Sequence, residues 1–354
     1  MNDSQNKVER VGLLPMIAIL AIAAGCSEGS KRDDASSVGE VVVYTALDQE
    51  FSEPILNDFK EASGLRPLTI YDVESTKTVG LTSRIIAEAG RPRCDLFWNN
   101  EILNTLRLEK LGLLEAYHSP AGDAFDSRWR SADGTWYGFA ARARILLVNK
   151  NLAGGERAPR SILDLADPKW RGKVGIAKPL FGTTATHAAC LFAYWGDEKA
   201  KEFFRSLKAN DVQVLGGNKR VAEEVSTGRL AFGLTDTDDA MVEVDRGMPV
   251  QIVYPDQGTD GMGTLFIPNT VSIIKGSPHP EAARQLLDYL LSPEVETKLA
   301  EGASVQIPLN PNAHAKLRVE TPQTVKATEV DFGAAAEKWD AAARFLRDEF
   351  ATGD

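Results

Sequence analysis

Cysteine is scarce in this chain, with three in 354 residues: Cys26, Cys94 and Cys190. No CxxC pair and no histidine cluster accompanies them, which argues against a structural metal site. Cys94 and Cys190 read as small buried hydrophobes; neither spacing nor context decides whether they pair. Histidine is almost as rare, and His118, His187, His279 and His314 are scattered over loops and helix, outside any catalytic constellation. No G-x-S-x-G elbow, HExxH, P-loop or GxGxxG stands at a strand-to-helix turn. A non-enzyme is therefore expected. Basic residues are outnumbered, 40 against 50 acidic, for a formal charge of −10. That balance offers no basic groove and excludes nucleic acid as a partner. Long apolar runs are missing as well. The strongest, residues 11–24, is broken by Gly12 and Pro15 and falls short of the roughly 20 residues a membrane span needs.

What that short run does match is an export signal. Lys7 and Arg10 precede it, and it closes on Ala23-Ala24-Gly25-Cys26. The ending resembles the bacterial lipobox, which implies acylation of Cys26 after removal of residues 1–25. An ordinary secretory signal cut near Ala24 is the alternative. The expected location is outside the cytoplasmic membrane, periplasmic or cell-surface, held to the membrane through that lipid alone. Residues 26–39 are small and polar, a flexible tether. Residues 40–354 have ordinary globular composition, and a length of about 315 residues favours two lobes over one core.

Periodicity gives an α/β fold. Glu40–Thr45 (EVVVYT) is a continuous strand; Phe51, Ile55 and Phe59 mark a helix stopped by Gly64; a strand at 68–71, a helix through Leu81, Ile85 and Ile86, a strand at 94–98 and a helix at 102–108 follow. A second set occupies residues 174–234, with strands near 174–177, 212–215 and 230–234 and helices at 183–194, 199–207 and 219–225. Two long extended runs, 138–149 and 263–274, are too long for one small sheet and read as crossings between lobes. Helices at 281–291 and 334–347 complete the chain. The expected architecture is two doubly wound α/β lobes joined by a two-strand hinge, residues 40–143 with 266–300 and residues 144–265 with 301–354. The cleft between them is the expected ligand site.

Several local sequences carry a family resemblance: VVVYT, Cys94-Asp95-Leu96-Phe97-Trp98, Arg142-Ala143-Arg144, Thr227-Gly228-Arg229-Leu230-Ala231, Ile307-Pro308-Leu309-Asn310, and above all Leu165-Ala166-Asp167-Pro168-Lys169-Trp170-Arg171-Gly172-Lys173-Val174. Together they resemble the periplasmic solute-binding proteins of ABC importers, specifically the ferric-iron-binding group of the type II fold. The resemblance implies a monomer that takes a small ligand or ion and delivers it to an ABC permease. It also implies that Trp170 covers a lobe core. The tyrosine pair that holds iron in that group falls on Asp238-Asp239, its first-loop His on Asp48, and its glutamate on Asn100, with Glu101 next. The phenolates of a ferric site are thus missing.

Loops after the strands' carboxyl ends line the cleft in such folds. They offer Asp48, Asn100, Glu101, Thr237, Asp238 and Asp239. Crowded carboxylates repel unless a cation joins them, so the expected ligand is positively charged. It is a hard metal ion held by oxygens of Asp48, Asp238 and Asp239, or a small organic amine. Anion features accompany them: the Thr183-Thr184 helix start, Arg142, which the resemblance places beside an accompanying anion, and Asn218. Together they suit an aminophosphonate-like zwitterion, or a metal with a synergistic anion; no other cofactor is expected. Asp238 and Asp239 also suit a capping role at a helix running from Ala240.

Overall fold

The computed structural model of the protein describes residues 39–73 and 76–350. The expected signal, the tether and the acylation site Cys26 lie outside the described residues. Among the described residues no helix is long and apolar enough to cross a membrane.

The first part of the chain alternates as its periodicity predicts. Strand β1 (Glu40–Thr45) is the β-branched run. Helix α1 (Gln49–Ser63) turns Ile55, Leu56 and Phe59 inward, and Gly64 ends it in the left-handed conformation, φ +71°, its N–H bonding Lys60 O at 2.9 Å. Then come β2 (Arg66–Tyr71), α2 (Val79–Ala87), β3 (Leu96–Asn99) and α3 (Leu103–Lys110). Helix α2 buries Leu81 and Ile85, whereas Ile86 points outward.

The long run becomes β4 (Tyr137–Asn149), buried throughout, followed by the short α4 (Lys150–Ala153). The second set is β5 (Val174–Ala177), α5 (Gly182–Trp195), α6 (Asp197–Ala209), β6 (Gln213–Leu215), α7 (Asn218–Ser226) and β7 (Phe232–Asp236). Helix α8 (Thr237–Asp245) starts three residues before Ala240, so Asp238 and Asp239 lie inside its first turn, not ahead of it. After β8 (Val250–Val253) and β9 (Phe266–Ile273) come α9 (Pro280–Leu290), α10 (Pro293–Glu301) and α11 (Phe332–Phe345). Sequence periodicity missed β8 and α10. Yet α10 carries ordinary start signals, Pro293 in its first turn and a Ser292 hydroxyl accepting from Val295 N.

The sheet runs β2-β1-β3-β9-β4-β7-β5-β6, with β8 also on β4. Strands β1, β2 and β3 are mutually parallel, as are β5, β6 and β7. Strands β9 and β4 run antiparallel to their neighbours. Each parallel set is thus one wound half of a two-lobed type II fold, and β4 belongs to both. Trp170 packs edge-on to Phe232, centroids 5.4 Å apart, over the second core, and Gly172 takes φ +68° to turn into β5. Cys94 and Cys190 are both buried and unpaired. Helix α11 packs on α3 and α5 together, and its Trp339 shares one buried cluster with Leu103, Leu108, Ala185 and Ala189.

Candidate functional site

Carboxyl ends of the parallel strands from both sets meet at one polar pocket. Its lining includes Asp48 after β1, Asn100 after β3, Arg142 of β4, Thr183 and Thr184 of α5, Asn218 of α7, and Asp238 and Asp239 of α8. Eight of the ten sequence-derived ligand candidates are therefore brought together.

Beneath the pocket lies a buried network centred on Arg144 and Asp236. Arg144, wholly buried, donates through Nη1 to Asp236 Oδ1 at 2.7 Å, to Asn218 Oδ1 at 3.1 Å and to Thr183 Oγ1 at 3.2 Å, and through Nη2 to Thr184 Oγ1 at 3.2 Å. Asp236 Oδ2 also accepts from Thr183 Oγ1 at 2.5 Å and Asn218 Nδ2 at 2.9 Å. Both oxygens of that carboxylate are therefore engaged, as a buried ion pair requires. His187 closes the network at 3.4 Å from Arg144 Nε; burial, then the adjacent guanidinium, drives its pKa well below the usual range and keeps the ring neutral. The side chains of Thr183, Thr184 and Asn218 are thus framework. Neither α5 nor α7 has a side-chain cap, and the first N–H groups of any helix lack partners within it.

Arg142 and the two α8 aspartates form the chemically open part. Arg142 is 3 % exposed, donates through Nη2 to Asn269 Oδ1 at 3.0 Å and pairs through Nε with Asp238 Oδ2 at 3.5 Å. Among the described residues, that contact falls short of hydrogen-bond geometry and leaves the buried Nε–H without an acceptor, and the buried Asn100 Oδ1 has no donor. Burial raises the Asp238 pKa to about 6, against the opposing effect of Arg142. Asp239 is pushed well above the carboxylate range by burial and then by Asp238. One oxygen each from Asp236, Asp238 and Asp239 lies within 4.8 Å of the others. Asp48 occupies the cap position of α1 but makes no cap bond; its carboxylate pairs with Lys77 Nζ instead.

Two candidates sit elsewhere. Glu101 is fully buried, accepting from Leu103 N at 2.6 Å and Asn104 N at 3.1 Å at the start of α3, from Asn99 Nδ2 at 2.9 Å and from Thr186 Oγ1 at 2.8 Å. It is a helix cap tied to α5, with its lone pairs turned away from the pocket. The Thr237 hydroxyl accepts from Ala143 N at 3.1 Å and fastens α8 to β4. Neither lines the pocket. Trp98 is core, packed 5.6 Å from the Phe139 ring. Tyr137 bonds Tyr117 O and Ser119 N, and Tyr254 accepts from Glu320 N.

Sequence reasoning missed Lys77, Lys178 and Gly216-Gly217, all of which line the pocket. The strand-end rule would have found them, applied to the loops after β2, β5 and β6. Lys77 also reaches α5, whose Gly182 N–H donates to Lys77 O at 3.1 Å. Among the described residues, three cations, Lys77, Arg142 and Lys178, thus share the lining with Asp48, Asp236, Asp238 and Asp239, and no tyrosine is present there.

Comparison with known proteins agrees with this architecture. The putative 2-aminoethylphosphonate-binding periplasmic protein of Salmonella typhi is 24% identical over 293 residues, 81% of this chain and 83% of that one. The major ferric iron-binding protein of Neisseria meningitidis serogroup A is 22% identical over 309 residues, 85% and 90% of the two chains. The crystal structure of iron-bound HitA from Pseudomonas aeruginosa superposes with a TM-score of 0.79 at 21% identity, covering 87% of this chain and 99% of that one. The model of the family described as bacterial extracellular solute-binding protein matches residues 101–334. Fold, pocket placement and that match have one conclusion: the chain belongs to the bacterial extracellular solute-binding proteins, a family of binders and not of enzymes.

Proposed function

We propose that this chain is the exported, lipid-anchored binding component of an ABC importer, and that its solute is a small zwitterion bearing a phosphonate or phosphate group and an ammonium. One observation carries the reading. A buried guanidinium N–H, Arg142 Nε, faces Asp238 Oδ2 at 3.5 Å without forming a hydrogen bond among the described residues, and it shares a pocket with two helix starts that lack side-chain caps and with Asp48 and Asp239. An oxyanion would accept from Arg142, from the N–H groups of Thr183 and Thr184 that follow the committed Gly182 N–H on α5, and from the first N–H groups of α7. An ammonium would donate to Asn100 Oδ1 and neutralise the carboxylates that burial now disfavours. A bare cation would compete with Arg142 Nε for Asp238 and give that N–H no acceptor, and a bare anion would add charge to the acidic side. The similarity to the Salmonella typhi protein supports the same class.

A hard metal ion is the rival, favoured by the clustered oxygens of Asp236, Asp238 and Asp239. Against it, Asp236 is already held by Arg144, Thr183 and Asn218. Delivery requires closure, which a ligand drives only through contacts to both halves; Asp48 and Asn100 on one side, and α5, α7 and α8 on the other, supply them.

Calorimetry with 2-aminoethylphosphonate, ethylphosphonate, ethanolamine and ferric citrate decides the matter. The bifunctional compound is expected to bind, and each one-ended analogue to bind at least ~100-fold more weakly, since each leaves buried charged groups unmatched. Heat from ferric citrate alone would replace this reading with the metal. Mass spectrometry of the native N-terminus tests the anchor: an acylated Cys26 is expected, and an unmodified terminus would remove it.

A further inference from the structure

We infer that Glu296 is a positioning residue for ligand recognition: its buried carboxylate holds the β4 bulge that turns Arg142 into the pocket. The argument starts from strand register. Along β4 and β9, Tyr137 pairs Val271, Gly138 pairs Thr270 and Phe139 pairs Asn269, but the next pairs are Arg142 with Ile267 and Ala143 with Phe266. Between Phe139 and Arg142 the chain advances three residues on β4 and only two on β9. One extra residue reverses the alternation of side chains. Arg142 consequently faces the same side as Asn269, to which it donates at 3.0 Å. A regular strand would put its guanidinium on the opposite face.

The bulge is not self-supporting. Ala140 takes φ +44°, a conformation that the Cβ of an L residue disfavours. Its two polar groups are pinned from different directions. The N–H donates to Glu296 Oε1 at 2.5 Å, and the carbonyl accepts from Asn269 Nδ2. Glu296 lies on α10, wholly buried, and also accepts from Leu309 N at 3.0 Å and from Asn310 N. A carboxylate is suited to this because it offers several lone pairs and no donor. Burial nevertheless pushes its pKa up to about 7, against the lowering effect of those N–H groups. A buried acid serving only backbone is costly, and here it fixes three chain segments around the residue two positions before Arg142.

Arginine side-chain NMR of the ligand-free protein tests this directly, with the Arg142 Nε–H signal assigned from Arg142→Lys. In Glu296→Gln that signal is expected to shift or broaden while the Arg144 Nε–H signal, anchored on His187, stays. Affinity for 2-aminoethylphosphonate should fall by ~10-fold, the size of one lost hydrogen bond to a charged group. Adding Ala140→Gly should restore most of both effects, because glycine adopts φ +44° without a clamp. That rescue separates positioning from mere stability. An unmoved Arg142 signal in Glu296→Gln, or a double variant no better than the single, overturns the inference. The binding arm rests on the function proposed above; the NMR arm does not, so failure of wild type to bind the phosphonate would sink that reading alone. Should Glu296→Gln fail to fold, hydrogen exchange of the wild type decides: the Ala140 amide is expected to exchange as slowly as the β4 ladder, and rapid exchange overturns the inference.

Discussion

Replacing Asp238 by asparagine should make the protein more stable and a worse binder. The carboxyl is buried, and burial raises its pKa from 3.8 to about 6 even with Arg142 at 3.5 Å. The folded protein therefore retains a proton that the unfolded chain releases between those two values. Stability falls as pH rises through that window, and the full penalty is present above pH 6. At about 1.4 kcal/mol per tenfold in proton affinity, it amounts to ~3 kcal/mol. Asparagine has the same shape and no charge. Asp238→Asn should gain up to ~3 kcal/mol at pH 7.5, or ~5 °C in melting temperature for a chain of this length. The gain should shrink as pH falls and vanish below about pH 4, where aspartate is protonated in both states. Affinity for an ammonium-bearing ligand should fall by ~10- to 100-fold through loss of a charged acceptor. Urea unfolding at pH 4, 6 and 7.5, with calorimetry at 7.5, measures both signs. A variant less stable than wild type at pH 7.5 would show that Asp238 is there to neutralise Arg142, and the reasoning from burial would fail.

Further outcomes follow from the surrounding groups. Arg144→Met strands the Asp236 charge in the interior and should cost ~3–5 kcal/mol in urea unfolding; a loss below about 1 kcal/mol would show the ion pair to be dispensable. Glu101→Ala leaves the start of α3 and Thr186 without their acceptor and should cost ~2 kcal/mol, while ligand affinity stays within about threefold. A large affinity loss with little destabilisation would return Glu101 to the pocket. Cys94 and Cys190 are buried, and burial drives both thiols above their usual pKa. Iodoacetamide should leave both unlabelled until the protein unfolds, as peptide mass spectrometry would show, and native-state labelling of either would contradict their placement.

Elements with strong local signals were legible without coordinates. The EVVVYT strand, the helix closed by Gly64 and the crossing run ending at Asn149 all stand within a residue or so of where periodicity puts them. The reason is that burial of a strand and capping of a helix are decided by adjacent residues. Loop chemistry was half legible. The strand-end rule gathered Asp48, Asn100 and Asp238, yet missed Lys77 and Lys178, which come from loops of the same kind.

Roles within the pocket were beyond the sequence. Asp236, Asp238 and Asp239 are near neighbours in an acidic run and all line the pocket, yet only the fold ties the first to Arg144 and sets the second against Arg142. Glu101 and Asn100 are adjacent, but one caps α3 while the other lines the site. Arg142 reaches Asn269 only because one extra β4 residue inverts the strand's alternation. Local periodicity fixes which residues are strand, helix or loop, since that depends on neighbours a few positions apart. Which lone pair meets which donor depends on partners more than a hundred residues away, as between Arg142 and Asn269 or Ala140 and Glu296, and only tertiary packing brings those together.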